Sequence, residues 1–221
     1  MADPSLARTD RTTLKRLPER GRFDRATVDA ILDEGIICHL GFVHEGQPMV
    51  VPTIHGRLDD TVYVHGSVAS RMLRTLTGGD PACLTVTLLD GLVVARSGFH
   101  SSMNYRSAML LGPLRLVDDE AERARALDVI VEHVIPGRVA DLREPTGAER
   151  RQTTVLALAI DEGSAKVRTG GPHDDDEDLD TDVWAGVVPL TIKAGTPIPS
   201  DDLKAAVHVP DYLSAYRRPG W

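Results

Sequence analysis

The sequence predicts a mainly β protein of the α+β class, in which short antiparallel strands form a closed or partly closed barrel with helices packed outside it. Two observations support this fold. Short runs rich in Val, Thr and Tyr have strand character, and tight polar turns such as 44–47 and 59–60 separate them. Other segments place apolar residues at helical spacing, so that each has one apolar face. We expect six or more strands and two or three helices.

The first half of the chain contains a helix followed by a meander of strands. Asp24 is the expected N-cap of this helix, with Phe23 and Val28 at the two hydrophobic-staple positions, and Gly35 ends it. Strands are predicted at 36–43, 49–58 and 61–66. Because only short polar turns join them, neighbouring strands are expected to run antiparallel.

The second half alternates between helices and strands. A helix is predicted from Val68 to Thr77, and Asp118 is expected to start another that ends at Pro136-Gly137. Strands are predicted at 82–95, 103–117, 154–160, 165–168 and 183–190. The expected organisation is an N-terminal arm (1–20), one domain (21–190) with an acidic loop (173–182), and a C-terminal extension (191–221).

The composition is that of a globular protein: 221 residues, 42% hydrophobic and 26% charged. No run approaches the ~18 apolar residues that span a bilayer, and the N-terminus lacks an apolar signal-peptide region. We therefore expect a cytoplasmic protein without a membrane partner. The low aromatic content and the absence of a basic stripe argue against a nucleic-acid partner. Cys38 and Cys83 match no zinc or redox motif and are expected to be reduced thiols.

The net charge of −8 comes from one acidic run, 174–182. Seven of the 33 acidic residues lie there, which leaves 26 against 25 basic residues elsewhere. The run lacks the glycine and the final glutamate of a calcium-binding loop. We expect it to be solvent-exposed and mobile and to bind neither a metal nor a cofactor.

The segment HGSVASR at 65–71 joins a predicted strand to a predicted helix. Ser67 is the expected N-cap, which places Ser70 at N3 and Arg71 one residue further on. Two hydroxyls and a guanidinium near unpaired backbone N–H groups suit a phosphate. The alternative is an ordinary capped surface helix.

HGSVASR, LTVTLLDGLVVARSGFHSSMNYRS at 84–107, SAKVRTG at 164–170 and VWAG at 183–186 together resemble one family. This is the pyridoxamine 5'-phosphate oxidase-related, FMN-binding split-barrel family, and the nearest branch contains the nitroimidazole-resistance (Nim-type) proteins. The resemblance covers about 20–189. It implies a homodimer with FMN at the interface of the two subunits, and a flavin-dependent oxidoreductase that acts on a small molecule.

The resemblance also implies which residues bind the cofactor. The positions on the phosphate side are His65, Ser67, Ser70 and Arg71. The positions along the ring and the ribityl chain are Val51, Pro52, Thr53, Thr85, Asn104, Tyr105, Arg106 and Ser107. The positions that relatives supply from the second subunit are Lys166, Arg168 and Trp184. No residue is identified as a catalytic acid or base.

Other ligands and functions remain open at this stage. Four histidines near strands suit a haem or metal site, although no His-x-His pair or HExxH helix supports a metal; they are His39, His55, His65 and His100. The deazaflavin F420 and haem are the alternative ligands. A module that stores, senses or scavenges its ligand without turnover is the alternative function. The substrate and the electron donor are not predicted.

Overall fold

The computed structural model describes residues 5–218 and 220. Its strands are β1 (Gly21–Arg22), β2 (Ile37–His44), β3 (Gln47–Leu58), β4 (Thr61–Ser67), β5 (Pro81–Val94), β6 (Ser102–Pro113), β7 (Arg115–Leu116), β8 (Thr153–Ala159), β9 (Glu162–Arg168) and β10 (Gly186–Pro189). They form one sheet in the order β1-β9-β6-β5-β2-β3-β4-β8-β7, and β10 pairs with β5. The strand pairings are antiparallel, as predicted.

The sheet curves around its main apolar core. Leu84 of β5 and Leu110 of β6 share this core with Val62 of β4 and Leu158 of β8, and all four are almost fully buried. In sheet order, β5 and β6 are well separated from β4 and β8. Strands from both halves reach one core only if the sheet rolls into a barrel.

Helices close the barrel at its ends and sides. They are α1 (Arg25–Glu34), α2 (Arg71–Leu76), α3 (Glu120–Val134), α4 (Gly147–Gln152) and α5 (Asp211–Ser214). The predicted ends of α1 are confirmed: the Asp24 carboxylate accepts a hydrogen bond from the Thr27 N–H, and Gly35 is the C-cap. Gly35 also packs tightly, since a Cβ there would lie 2.3 Å from Val86 Cγ1.

Helix α3 covers one part of the outer sheet surface. Its residues Ala126 and Ile130 form a second apolar cluster with Tyr63 of β4 and Val155 of β8. The helix approaches β3 so closely that a Cβ on Gly56 would lie 2.9 Å from the backbone N and Cα of Ile130. A glycine at this position therefore allows the helix to pack against the strand.

Another part of the outer surface is left exposed. Ile37 and Val43 of β2 and Val50 of β3 are 53%, 55% and 67% exposed. The alternate residues of β2 are buried in the core; they are Cys38, Leu40 and Phe42. We call this surface the open face; its outward-pointing residues are Ile37, His39, Val43, Val50, Pro52, Thr85, Thr87, Ser107 and Lys166.

The start of α2 differs from the prediction. Ser70, not Ser67, is the N-cap, and its hydroxyl accepts a hydrogen bond from the Leu73 N–H. Ser67 is the last residue of β4, where it pairs with Thr153 of β8. Because this pairing holds Ser67 in the sheet, the chain first turns, with the Ser70 N–H bound to the Ser67 carbonyl, and the helix begins afterwards.

The prediction that the whole acidic run is solvent-exposed is wrong for Asp174. Its carboxylate accepts hydrogen bonds from the Arg96 backbone N–H and guanidinium, both at 2.8 Å, and its side chain is only 2% exposed. Asp175 pairs with His100 at 3.0 Å. The expectation overlooked Arg96 and His100 because they lie more than seventy residues away in the chain.

Both ends of the described chain pack against the barrel. Leu6 is buried, and its N–H donates to the Phe23 carbonyl. At the other end, the Tyr216 hydroxyl donates to the Val134 carbonyl at the end of α3. Arg218 is 5% exposed and donates to the Asp33 carbonyl at the end of α1. Among the described residues, none of the helices is long and apolar enough to cross a membrane.

Candidate functional site

Two rows of residues cross the open face. In the first, Pro52 of β3 lies opposite His39 of β2, which lies opposite Thr85 of β5. In the second, Thr87 of β5 lies opposite Ser107 of β6, which lies opposite Lys166 of β9. Directly paired residues of antiparallel strands project to the same side. The rows therefore place hydroxyls, an imidazole and an ammonium on one apolar surface.

Four of the predicted cofactor residues thus come together on the open face: Pro52, Thr85, Ser107 and Lys166. The flanking Val51 packs against the core, and Thr53 pairs with the buried Cys38, so these two offer mainly backbone to this surface. Among the described residues, the Lys166 ammonium has no hydrogen-bond or ion-pair partner.

Arg106 lies on the opposite side of β6 from Ser107 and is already paired. Its Nη2 donates to Glu34 Oε1 at 2.8 Å and to Asp90 Oδ1 at 2.7 Å, and its Nε donates to Asp90 Oδ2 at 3.0 Å. Hydrogen bonds to Glu34 and then to Asp90 raise the pKa of Arg106. A flavin contact by this guanidinium would require breaking at least one of these pairs.

Three other predicted residues lie at the edge of the open face. Tyr105 pairs in the sheet with Arg168. Arg168 is 7% exposed and donates to Asn104 Oδ1 at 2.7 Å, while the Asn104 amide donates to the Gly170 carbonyl at 3.0 Å. Burial lowers the pKa of Arg168. These contacts give Arg168 and Asn104 a structural role at the end of β6 and β9.

The phosphate-side residues are accessible at the end of β4. The Ser67 hydroxyl accepts from the Ala69 N–H at 3.2 Å, and the Ser70 hydroxyl caps α2. Each serine hydroxyl still has its own proton to donate. Arg71 is exposed, and its guanidinium has no partner among the described residues.

His65 lines a cavity of about 390 Å³ between β4, α3 and α4. Its Nδ1 is buried, and the ring has no hydrogen-bond partner in the described part of the chain. Burial lowers the pKa of His65, which favours the neutral ring. The cavity wall includes Leu127 and Leu142, and two arginines, Arg143 and Arg150, also line it.

The sequence identified His65 but neither its cavity nor the arginines. A local signal was available for Arg150, because Thr146 and Glu149 form a capping box that starts α4, the helix that carries it; Arg143 lies before this helix and pairs with Glu149. Trp184, which was expected to meet a second subunit, is 64% exposed in the single chain. In residues 5–218 and 220, no group of three or more His, Cys, Asp or Glu side chains is arranged to hold a metal ion.

Residues 24–167 match the family model of pyridoxamine 5'-phosphate oxidase. The chain belongs to this family. The match covers β2 to β8 and both rows of the open face, ending within β9. The family predicted from the four sequence segments is therefore confirmed. A search of curated proteins found no match.

Three solved structures show how far the similarity extends. A flavocytochrome from Azotobacter vinelandii is 42% identical, with 95% of this chain and 98% of that chain covered and a TM-score of 0.89. A protein from Mycobacterium smegmatis described as binding FAD and heme is 41% identical, with 90% and 98% covered and a TM-score of 0.86. A candidate 5-nitroimidazole resistance protein from Bacteroides thetaiotaomicron is 26% identical, with 66% and 86% covered and a TM-score of 0.56.

The predicted fold is confirmed by these similarities: the chain is a split barrel of the pyridoxamine 5'-phosphate oxidase family. The first two similarities extend over nearly the whole chain. They therefore extend well beyond the residues that match the family model. By their descriptions, these two relatives are flavin or haem proteins.

Proposed function

We propose that this protein is a flavin-dependent oxidoreductase that holds the flavin ring on the open face. The observation that carries the proposal is the row of Thr87, Ser107 and the unpaired Lys166 on the open face. The chain also has the fold of relatives that are described as flavin proteins. An apolar surface with a few hydroxyls and one unpaired cation suits a planar ring with polar edges.

The flavin supplies the hydride and electron chemistry when bound. The role of the protein is to orient the flavin and to stabilise its reduced form. Thr85 would donate a hydrogen bond from its hydroxyl, and Pro52 would present an apolar surface to the ring. Ser107 now donates to the Lys166 carbonyl at 3.4 Å and would have to turn its hydroxyl toward the ring. Lys166 would place a positive charge beside the ring, which would stabilise the negative charge of its reduced form. The Ser67 and Ser70 hydroxyls and Arg71 would bind phosphate oxygens.

We also propose that two copies of the chain face each other across the open face. Exposed Ile37, Val43 and Val50 form an apolar surface next to the site, and such surfaces commonly mark interfaces. A second copy would cover them and give the exposed Trp184 a surface to pack on. Sedimentation of the flavin-loaded protein should give a dimer, and a monomer at micromolar concentration would contradict this part.

The form of the flavin follows from the relatives rather than from the site. The sequence favoured FMN, but a relative 41% identical over nearly the whole chain is described as binding FAD. We therefore propose FAD first and FMN second. Purified protein should show flavin absorption, and chromatography of the released cofactor separates FAD from FMN. A spectrum with deazaflavin absorption, or with neither, would reject the proposal.

Lys166 offers a direct test of the ring position. Lys166→Met should weaken flavin binding by about 10- to 100-fold, because a charge-assisted contact contributes roughly 1.5–3 kcal/mol. The control is Lys193→Met, since Lys193 is an exposed lysine outside the open face. Equal affinities of the two variants would show that the ring lies elsewhere.

Turnover separates the enzyme from a module that only holds its ligand. The protein loaded with reduced flavin is mixed with a nitroimidazole or another small acceptor, and reoxidation is compared with that of free flavin at equal concentration. Faster reoxidation supports the oxidoreductase. No acceleration with any acceptor would favour the non-catalytic module.

A second prosthetic group, haem, is proposed on a separate observation. The half-buried, unpaired His65 beside an apolar cavity with two arginines has the donor set that haem requires. The two relatives described as a flavocytochrome and as an FAD and heme binding protein support the same proposal. Haem would add one-electron chemistry at iron. Protein loaded with hemin should show a Soret band distinct from that of free hemin.

A further inference from the structure

Among the described histidines, His65 is the one best placed to bind a ligand. Neither ring nitrogen has a hydrogen-bond partner among the described residues; Nδ1 is buried, so Nε2 is the nitrogen that a ligand in the cavity would meet. His65 sits on β4 opposite Val155, two residues after Tyr63, whose ring packs under α3. Its position on β4 therefore directs it toward the gap between α3 and α4.

The other histidines are less suited to bind a ligand. His55 also has an unpartnered Nδ1, but the residue is 0% exposed, its Nε2 contacts the Leu32 carbonyl, and its ring lies 4.7 Å from that of His133. His133 is itself bound to the Gly35 carbonyl. The others are hydrogen-bonded to side chains or exposed; they are His39, His44, His100, His173 and His208.

The cavity in front of His65 has two chemically different parts. Leu127, Leu142 and Pro145 provide an apolar lining. Arg143 and Arg150 provide positive charge, with side chains 67% and 36% exposed, and the lining also includes Glu149, whose carboxylate pairs with Arg143. Such a cavity suits a flat apolar molecule that carries carboxylates at one edge. Haem has this shape and this charge distribution, with two propionates on one side of its ring.

We propose that His65 is the axial ligand of the haem iron and that Arg143 and Arg150 pair with the propionates. This inference rests on the haem part of the proposed function and assigns its site. The imidazole would bind the iron through the lone pair of a ring nitrogen, with the ring in its neutral form. The arginines now pair with Glu149, Glu144 and Glu120, and the propionates would replace or share these exposed partners.

The test loads wild-type protein and variants with hemin and records the Soret band, the hemin affinity and the flavin content. His65→Gln should change the Soret band and weaken hemin binding at least about tenfold, with flavin content unchanged. In a second variant, His65→Gly, added imidazole should restore the ligated spectrum, because it enters the space left by the missing ring. His208→Gln, at an exposed histidine, is the matched control.

A further pair of variants tests the propionate contacts. Arg143→Ala and Arg150→Ala together should weaken hemin binding while the Soret position of the bound form stays that of the wild type. The control Arg123→Ala removes a nearby arginine of α3 that lies outside the His65 cavity. Equal hemin affinity in the double variant and the control would overturn the assignment of the propionates.

The outcomes separate the inference from the proposed function. If the wild type binds no hemin but holds flavin, the haem part of the function fails, and the inference with it. If the wild type binds hemin and His65→Gln has the same spectrum and affinity, only the ligand assignment is overturned. If His65→Gln remains folded but loses flavin and keeps hemin, His65 belongs to the flavin site instead. Loss of the wild-type Soret band with rescue by imidazole supports the inference.

Discussion

The Arg106 network allows a structural role to be separated from a cofactor role. Arg106 matches a family position that was expected to bind flavin, but its guanidinium is held by Glu34 and Asp90. The Glu34 side chain is 10% exposed and that of Arg106 is 30% exposed. Arg106→Ala would therefore leave the Glu34 carboxylate nearly buried without a cation.

Removing one partner of a fully buried ion pair costs about 3–5 kcal/mol, whereas an exposed pair contributes about 0–1 kcal/mol. Because Arg106 and Asp90 are each about 30% exposed, we expect an intermediate loss of about 2–3 kcal/mol in the free energy of unfolding. For a protein of this size each kcal/mol shifts Tm by about 2–4 °C. The expected drop in Tm is thus about 4–12 °C, while flavin affinity should change little.

The assay is urea or thermal unfolding at fixed protein concentration, together with a flavin titration. The double variant Glu34→Gln with Arg106→Met should recover part of the stability, because it removes both charges at once. Arg22→Ala is the control, since this exposed arginine donates only to backbone carbonyls. A stable Arg106→Ala variant that loses flavin would refute the reasoning and restore the cofactor role.

Three further predictions concern packing, pH and the acidic run. Gly56→Ala should destabilise the fold by about 1–3 kcal/mol, because its Cβ would meet the backbone of α3, whereas Gly98→Ala has free space and should have little effect in the same unfolding assay. Burial lowers the pKa of His55 to about 4, whereas the same side chain in the unfolded chain has a pKa of about 6.5. The unfolded chain therefore takes up this proton at a higher pH than the folded protein, and the free energy of unfolding should fall as pH drops from about 6.5 to about 4. His55→Gln should flatten that slope in unfolding curves, and an unchanged slope would assign it to other groups. Asp174→Ala should speed proteolytic cleavage of the acidic run, whereas Asp180→Ala, at an exposed carboxylate, should not; equal cleavage rates would contradict the importance of the Asp174 contact.

The sequence by itself determined the features that depend on neighbours in the chain. Asp24 and Gly35 mark the ends of α1 because caps act over three or four residues. Residues 65–71 and 84–107 were enough to predict the family and its split-barrel fold, because a sequence motif can be recognised without knowing which residues pack against it. The rows that contain Thr85 and Ser107 follow from strand alternation once the register is known.

Only the tertiary structure decided which side chains are already in use. Arg106 meets Glu34 across 72 residues of chain, and Asp174 meets Arg96 across 78. The same holds for His65, whose cavity exists only because α3 and α4 pack beside β4. Ion pairs and cavities depend on positions in space rather than on local periodicity, and for this reason the sequence could name these residues but could not assign their partners.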